Sequence, residues 1–300
     1  MIKLSFKGFL ILLFTIALFS CSSDSENATG KAQISITDAP VDDDNIKSVF
    51  ISILSVEAKG PDGWQTVESF EEPVKIDILS YNNGNSYFLT EGTLTAGVYS
   101  EIRLQLDIVE RAGGAQNNVG SYIEYNDGST QQIFVPSGSQ SGYKAKGDFT
   151  IPEGGVVALT LDLDLRKALV EAGNSGKFLL KPVVRIVANE DAGMISGNLD
   201  GEGEELGKVI AFAYENGSFT ESEIADPDAE EVRFPNAVTS STLDENGDFT
   251  LAFVASGTYD IYFATFDGDG EFVELIGSYQ DVELTGGQTE NLEILLSELE

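Results

Sequence analysis

Histidine is absent from this 300-residue chain, and cysteine occurs only once. The sequence therefore lacks the most common general base and metal ligand, and it cannot form a Ser-His-Asp or Cys-His nucleophile system or an internal disulfide. Basic residues are also few, since 17 lysines and arginines stand against 50 aspartates and glutamates, a formal net charge of -33. Such a charge opposes binding to a phosphate backbone, so nucleic acid is excluded as a partner.

The overall composition is that of a folded protein. Hydrophobic residues make up 42% and charged residues 22% of the sequence, which are ordinary globular values. With domains of about 100 to 200 residues, this length fits about two of them.

The N-terminus has the pattern of a bacterial export signal. Two lysines precede the apolar stretch 8–19, which is too short to span a bilayer. The segment Leu18-Phe19-Ser20-Cys21 then places a small residue before the only cysteine, and it resembles the lipobox of bacterial lipoproteins. The resemblance implies a signal peptide at residues 1–20, lipidation of Cys21 and a stable membrane anchor. The alternative is an ordinary secretory signal that happens to end near a cysteine.

Residues 21–31 are predicted to form a disordered tether. The segment 22–27 is polar and acidic and has no apolar periodicity. It resembles the acidic sorting tag with which Bacteroidetes lipoproteins reach the outer face of the outer membrane. We therefore expect a lipid-anchored outer-membrane protein exposed at the cell surface, although a plain spacer would read the same way.

From residue 32 to the end, the pattern is that of β-strands. Apolar and polar residues alternate in the segments 98–108, 157–165 and 249–253, as in half-buried strands. In the second of these segments the alternation places Thr160, Asp162 and Asp164 on a solvent-exposed face. Frequent Asn-Gly and Asp-Gly turns separate such runs.

These signals predict an all-β fold of two consecutive antiparallel β-sandwich domains, either Ig-like or transthyretin-like. Only residues 165–172, closed by Gly173-Asn174, have the pattern of a short helix. A domain boundary is expected near Asp191, where a strand pattern restarts and the charge changes. Residues 191–300 hold 26 acidic and 2 basic residues. The predicted domains are residues 32–190 and an acidic domain at residues 191–300.

Several spaced motifs occupy residues 32–190. They are Ile34-Ser35-Ile36-Thr37-Asp38-Ala39-Pro40, Gly63-Trp64, Ile76-Asp77-Ile78-Leu79, Leu94-Thr95-Ala96-Gly97-Val98-Tyr99 and Leu180-Lys181-Pro182-Val183-Val184-Arg185. Together they resemble family 4382 of the domains of unknown function. That family occurs in exported bacterial lipoproteins and has no established activity, so the resemblance bears on location more than on function.

The acidic domain has its own motifs. They are Gly193-Met194-Ile195-Ser196-Gly197-Asn198-Leu199, Val209-Ile210-Ala211-Phe212 and Asn246-Gly247-Asp248-Phe249-Thr250-Leu251. These resemble carboxypeptidase-regulatory or transthyretin-like modules, which are non-catalytic accessory domains. Both predicted domains also contain a small-Gly-x-Tyr turn, at 96–99 and 256–259. In each we expect the glycine to adopt a positive φ and the tyrosine to close a sandwich edge.

Two acidic loops present oxygen ligands suited to calcium. One contains Asp244, Asn246 and Asp248, and the other contains Asp267 and Asp269. Neither loop has EF-hand spacing, and hairpin turns favour the same residues. Calcium is therefore the one metal that the sequence predicts, with ordinary hairpins as the alternative.

Trp64 is the only tryptophan, and it follows the turn Pro61-Asp62-Gly63. An exposed aromatic side chain beside carboxylates is typical of glycan recognition, although Trp64 could instead cover a sandwich edge. No pair of carboxylates stands out as catalytic, so we predict that the protein is not an enzyme. The sequence favours a surface binding, adhesion or structural module with a glycan or a surface protein as partner. The alternatives are a nutrient-capture lipoprotein beside an outer-membrane transporter and, more distantly, a carboxylate-dependent hydrolase.

Overall fold

A computed structural model of the chain describes residues 28–39, 45–108, 120–135, 141–171, 178–201, 203, 206–227, 231–268 and 270–300. The described residues form nineteen strands: β1 (Thr29–Ala39), β2 (Ile46–Gly60), β3 (Gly63–Asp77), β4 (Tyr87–Thr95), β5 (Gly97–Leu106), β6 (Tyr122–Tyr125), β7 (Thr130–Phe134), β8 (Tyr143–Ile151), β9 (Val156–Asp164), β10 (Leu169–Glu171), β11 (Phe178–Leu180), β12 (Val184–Ala188), β13 (Ala192–Asp200), β14 (Lys208–Glu215), β15 (Thr239–Thr242), β16 (Asp248–Ala255), β17 (Gly257–Phe266), β18 (Phe272–Leu284) and β19 (Thr289–Leu295). One short helix, α1 (Leu165–Ala168), follows β9. The predicted all-β sandwich fold is confirmed.

Strands β1 to β12, the first half of the molecule, form two facing sheets. One has the order β12-β9-β1-β4, and the other runs β10-β11-β7-β6-β2-β5-β8 with β3 on the free edge of β2. A continuous core of buried aliphatic side chains, among them Ile34, Ile53 and Leu161, lies between them. Because the alternate residues of each strand point inward, the outer faces carry the polar residues.

Strands β13 to β19, the second half, form a smaller sandwich from the sheets β16-β13-β19 and β15-β14-β17-β18. Its core contains Ile195, Leu251 and Phe263. A second apolar cluster around Phe212 and Phe234 covers the outer side of the larger sheet. Strand β14 is therefore buried on both faces, which explains its nearly unbroken apolar run.

Not every strand pair is antiparallel. The pairs β1–β9, β7–β11 and β13–β19 run parallel. The partners in these parallel pairs are far apart in sequence, whereas the antiparallel partners β2–β3 and β6–β7 follow each other through short turns.

Two local predictions are wrong. The side chains of Thr160, Asp162 and Asp164 are buried rather than exposed, with Asp162 only 2% accessible. Strand β9 lies between β1 and β12, and the Arg185 guanidinium from β12 forms an ion pair with Asp162. The helix is also shorter than predicted, because residues 169–171 leave it to pair with β11.

The two tyrosine turns have the same geometry. Tyr99 and Tyr259 are both buried, and each hydroxyl donates a hydrogen bond of 2.9 Å to the carbonyl four residues earlier. This arrangement is a tyrosine corner. The predicted positive φ is confirmed at Gly97, at 145°, but is wrong at Gly257. At Gly257 a side chain would instead meet the ring of Tyr259, 3.3 Å from the Cβ position.

The two halves meet through buried polar contacts at α1. The Arg166 guanidinium donates to the carbonyls of Arg233 (2.6 Å) and Phe234 (3.2 Å), and the Lys167 ammonium donates to Ala237 O at 2.5 Å. Arg166 also lies 5.3 Å from the ring centroid of Phe212. The segment 233–237 of the second half is thus held by cations of the first.

Candidate functional site

Trp64 stands at the start of β3, immediately after a two-residue hairpin. Gly60 and Gly63 pair across the turn, and Gly63 has a φ of 94°, which a glycine adopts without strain. Trp64 lies opposite Lys59 on β2. Since the neighbouring Ala58 is buried in the core, Lys59 and Trp64 belong to the outer face of this sheet.

The indole ring of Trp64 is covered by a cation. The Arg103 guanidinium lies 4.1 Å from the ring centroid, and the Lys144 ammonium lies 5.7 Å from it. The Nε of Arg103 donates to a carboxylate oxygen of Glu57 at 2.7 Å. This ion pair fixes Arg103 over the ring, where the cation–π attraction adds to the contact. Trp64 is consequently half-buried. This position is compatible with both roles expected of Trp64, edge packing and ligand contact.

Two strand rows carry the charges of this face. Lys59, Glu101 and Lys146 are neighbours across β2, β5 and β8, and Glu57, Arg103 and Lys144 form the next row. The Lys59 ammonium contacts Glu101 at 2.6 Å. Its hydrogen bond lowers the pKa of the Glu101 carboxyl, and the charges of Lys144 and Lys146 act in the same direction. The face therefore combines four basic side chains with the carboxylates of Glu57 and Glu101.

The first acidic loop is a hairpin turn closed by its own side chains. An oxygen of Asp244 accepts hydrogen bonds from the backbone N–H groups of Asn246 (2.8 Å) and Asp248 (2.9 Å). These bonds lower the pKa of the Asp244 carboxyl. The Asn198 amide bridges Asn246 O and Asp248 Oδ1, at 2.8 Å each. The structure thus brings Asp244 and Asp248 together beside a groove of about 430 Å³.

The second acidic loop is closed in the same way. Asp267 accepts from the backbone N–H of Glu271 at 2.9 Å, whereas Asp269 lies outside the described residues, as does Cys21. Within the described part of the chain, no three acidic or cysteine side chains are grouped so as to hold a metal ion. Calcium binding at these loops stays a prediction.

The structure contains a buried acidic cluster that the sequence pattern did not predict. Asp38, Asp162 and Asp164 lie on the paired strands β1 and β9 and are at most 5% accessible. Asp164 contacts the Lys167 ammonium at 3.0 Å. Desolvation raises the pKa of Asp162, against the opposing effect of Arg185. The cavity beside Asp38 and Asp162 measures about 10 Å³, the space of one water molecule.

A family model matches just over half of the chain. It is the "Domain of unknown function (DUF4382)", and it covers residues 29–182, close to the expected 32–190. No curated protein matches the chain. Among the described residues, no helix is long and apolar enough to cross a membrane.

Several solved structures are similar over part or most of the chain. The TIE protein of Bacillus anthracis is 12% identical, with 89% of this chain and 34% of that chain covered and a TM-score of 0.20. The shaft pilin SpaA of Lactobacillus rhamnosus GG is 10% identical, with coverages of 89% and 96% and a TM-score of 0.23. A putative carbohydrate-binding protein of Pseudomonas aeruginosa is 18% identical, with coverages of 36% and 91% and a TM-score of 0.22. This chain spans about a third of the length of the TIE protein. Superpositions this poor transfer no function.

Proposed function

Since the chain belongs to DUF4382, a domain family of unknown function, we propose that it is a non-catalytic binding or adhesion module of the cell surface, anchored to the outer membrane through Cys21. The observation that carries this proposal is the outer face around Trp64. An indole ring, two ion pairs and two further lysines lie together there on rigid strands. Aromatic and charged groups on a rigid scaffold are the usual elements of a binding surface.

Glycan capture is the second candidate, because the same face combines an aromatic ring with groups that donate and accept hydrogen bonds. A hydrolase is disfavoured by a separate observation. The buried carboxylates of Asp38 and Asp162 border a cavity with room for one water molecule and none for a substrate. A catalytic carboxylate pair needs access to the scissile bond.

The anchor is tested by replacing Cys21 with serine. We expect the Cys21→Ser protein to move from the membrane fraction to the soluble fraction, because the acyl chains supply the membrane affinity. Ser25→Ala, which changes the tether and keeps both Cys21 and the serine before it, serves as the control. A Cys21→Ser protein that stays in the membrane fraction would contradict lipid anchoring.

Surface exposure is tested with external protease on intact cells. A surface protein is cleaved in intact and lysed cells alike. Protection in intact cells together with cleavage after lysis would place the protein on the periplasmic side.

Binding is tested by retention of the full-length protein on three insoluble neutral polysaccharides, cellulose, chitin and mannan. We expect retention on at least one of them and its loss in Trp64→Ala. Phe88→Ala, at an exposed aromatic residue on β4 of the other sheet, is the matched control. Failure of the wild-type protein to bind any of the three, or equal retention of Trp64→Ala, would contradict a saccharide-binding role for this face.

A further inference from the structure

A groove adjoins the Trp64 face on its β8 side. It has a volume of about 590 Å³, within the range of small-ligand sites. Lys144 and Lys146 form one side, and Pro182 and Val184 form the other. We call it the lysine groove. It is open to solvent, and it offers a ligand both ammonium groups and an apolar wall.

The two lysines of the groove have no carboxylate partner. Acidic residues outnumber basic ones almost three to one in this chain, and eight ion pairs occupy most of the cations that the structure describes. Among the described residues, however, no acid lies within 4.0 Å of Lys144 or Lys146. Glu101 borders the groove, but its carboxylate is bonded to Lys59. Asp148 follows on the same strand face and forms no ion pair with Lys146. The groove therefore carries two ammonium groups that form no direct ion pair with a described carboxylate, although both charges act on Glu101 at its edge.

The groove is held in shape by contacts beneath it. Gly142 packs directly on Arg103, since a Cβ at that residue would lie 2.5 Å from the arginine side chain. This contact places Arg103 between Gly142 and the Trp64 ring. The buried Tyr143 donates its hydroxyl to Lys181 O at 2.9 Å and so ties the segment before Pro182 to β8. Both walls are thus fixed to the core, which lowers the entropy lost on binding.

We infer that the lysine groove binds a short anionic saccharide, with its carboxylate or sulfate group between Lys144 and Lys146 and a sugar ring against Pro182 and Val184. This inference deepens the proposed saccharide role of the Trp64 face and rests on it. Ammonium groups attract carboxylate and sulfate oxygens, whereas the carbon-bound hydrogens of a sugar ring pack on apolar side chains. A long polyanion is disfavoured, because the net charge of -33 would repel the parts of it outside the groove.

Calorimetric titration of the full-length protein with four probes tests the inference. The probes are tetragalacturonate, its uncharged methyl ester, a singly sulfated carrageenan disaccharide, and inorganic sulfate. We expect tetragalacturonate or the sulfated disaccharide to bind, and the methyl ester to bind at least about tenfold more weakly than tetragalacturonate. The tighter binder of these two saccharides shows whether the groove prefers a carboxylate or a sulfate group. Affinity should fall as salt rises from about 50 to 500 mM, because the attraction is screened.

The variant Lys144→Gln/Lys146→Gln provides the structural arm of the experiment. It should weaken binding of the anionic probe about tenfold or more, while Lys31→Gln/Lys47→Gln, with the same change in net charge at two exposed ion pairs, should leave it within about twofold. Both lysines of the groove are at least partly exposed, so folding should persist, and the thermal transition checks it. The single variant Lys146→Gln, at an exposed residue, gives a second measurement of the affinity for the anionic probe.

Three results would overturn the inference. The first is binding of the methyl ester as tight as that of the acid, which leaves the saccharide role of the Trp64 face intact. The second is binding of inorganic sulfate as tight as that of the saccharides, which reduces the groove to a simple anion site. The third is absence of binding by both acidic saccharides, whatever the protein retains among the neutral polysaccharides.

Discussion

The two halves of the molecule share one strand plan. In the first half β1 pairs with β4 and β9, β2 pairs with β3 and β5, and β5 pairs with β8. The second half has the same five pairings with the same strand directions. There β13 pairs with β16 and β19, β14 pairs with β15 and β17, and β17 pairs with β18. The tyrosine corner follows the equivalent strand in each half. The halves therefore have the topology expected of two copies of one sandwich.

Surface charge separates the halves. Strand β8 carries Lys144 and Lys146, whereas its counterpart β18 carries Glu274 and Glu283. The first half also has additional strands, β6, β7 and β10 to β12, and the helix α1 with the arginine and lysine that reach the second half. One strand plan therefore tolerates either sign of surface charge, because the charge depends on individual surface residues and not on the fold.

The largest expected effect comes from breaking the junction between the halves with Arg166→Ala. The substitution leaves the carbonyls of Arg233 and Phe234 without their donor and removes a buried cation next to Asp164. We expect a loss of about 3 to 5 kcal/mol in the free energy of unfolding. Lys31→Ala, at an exposed ion pair, should cost at most about 1 kcal/mol.

The same variant tests whether the halves are separate domains. Trp64 fluorescence reports only the first half, whereas circular dichroism reports both. With the junction broken, the urea transitions from the two probes should separate. Coincident transitions at an unchanged midpoint would contradict both the role of Arg166 and a domain boundary near Asp191.

A smaller effect is expected from Glu223→Gln, at a buried carboxylate of the second half. Burial alone would raise the pKa of Glu223, but hydrogen bonds from Asn236, Tyr214 and Thr220 outweigh it and lower the pKa from 4.5. The stabilisation is therefore complete above the pKa of the unfolded chain and is lost as pH falls through the folded pKa. We expect Glu223→Gln to cost about 2 kcal/mol at pH 7 and progressively less below pH 4.5. A cost independent of pH would contradict an ionised Glu223.

The two tyrosine corners should be equivalent. Tyr99→Phe and Tyr259→Phe each remove one buried hydrogen bond and keep the ring, so each should cost about 1 kcal/mol. Tyr81→Phe, at a half-buried ring outside the corners, is the control. Denaturant unfolding of the three variants checks this. Costs that differ by more than about 1 kcal/mol would show that the shared geometry has unequal energetic importance.

Strand periodicity and turn residues predicted the sandwich class, because they are local properties of the sequence. The position of Trp64 directly after a turn could be predicted for the same reason, since the turn residues precede it in the sequence. The burial of Asp162 could not be predicted, because it depends on residues far away in the sequence. Arg185 on β12 forms the ion pair, and Thr239 and Ser240 of the second half line the same small cavity. The lysine groove was equally hidden, since only the register of β5 and β8 and the anchoring of residue 181 by Tyr143 bring its walls together.

The smallest expected effect is the response of the second half to salt. With 26 acidic and 2 basic residues in residues 191–300, its folded state holds repulsion that the unfolded chain relieves by expanding. Sodium chloride should therefore raise its melting temperature by a few degrees, about equivalent to 1 kcal/mol or less, and raise the transition seen by Trp64 fluorescence by less. Calcium chloride at matched ionic strength separates screening from specific binding, because a calcium site adds a stability of RT ln(1 + [Ca]/Kd) that sodium does not supply. An extra calcium increment that disappears in Asp244→Asn or Asp267→Asn would confirm the predicted sites. Equal melting temperatures in the two salts would contradict those sites, and no response to either salt would contradict the repulsion argument itself.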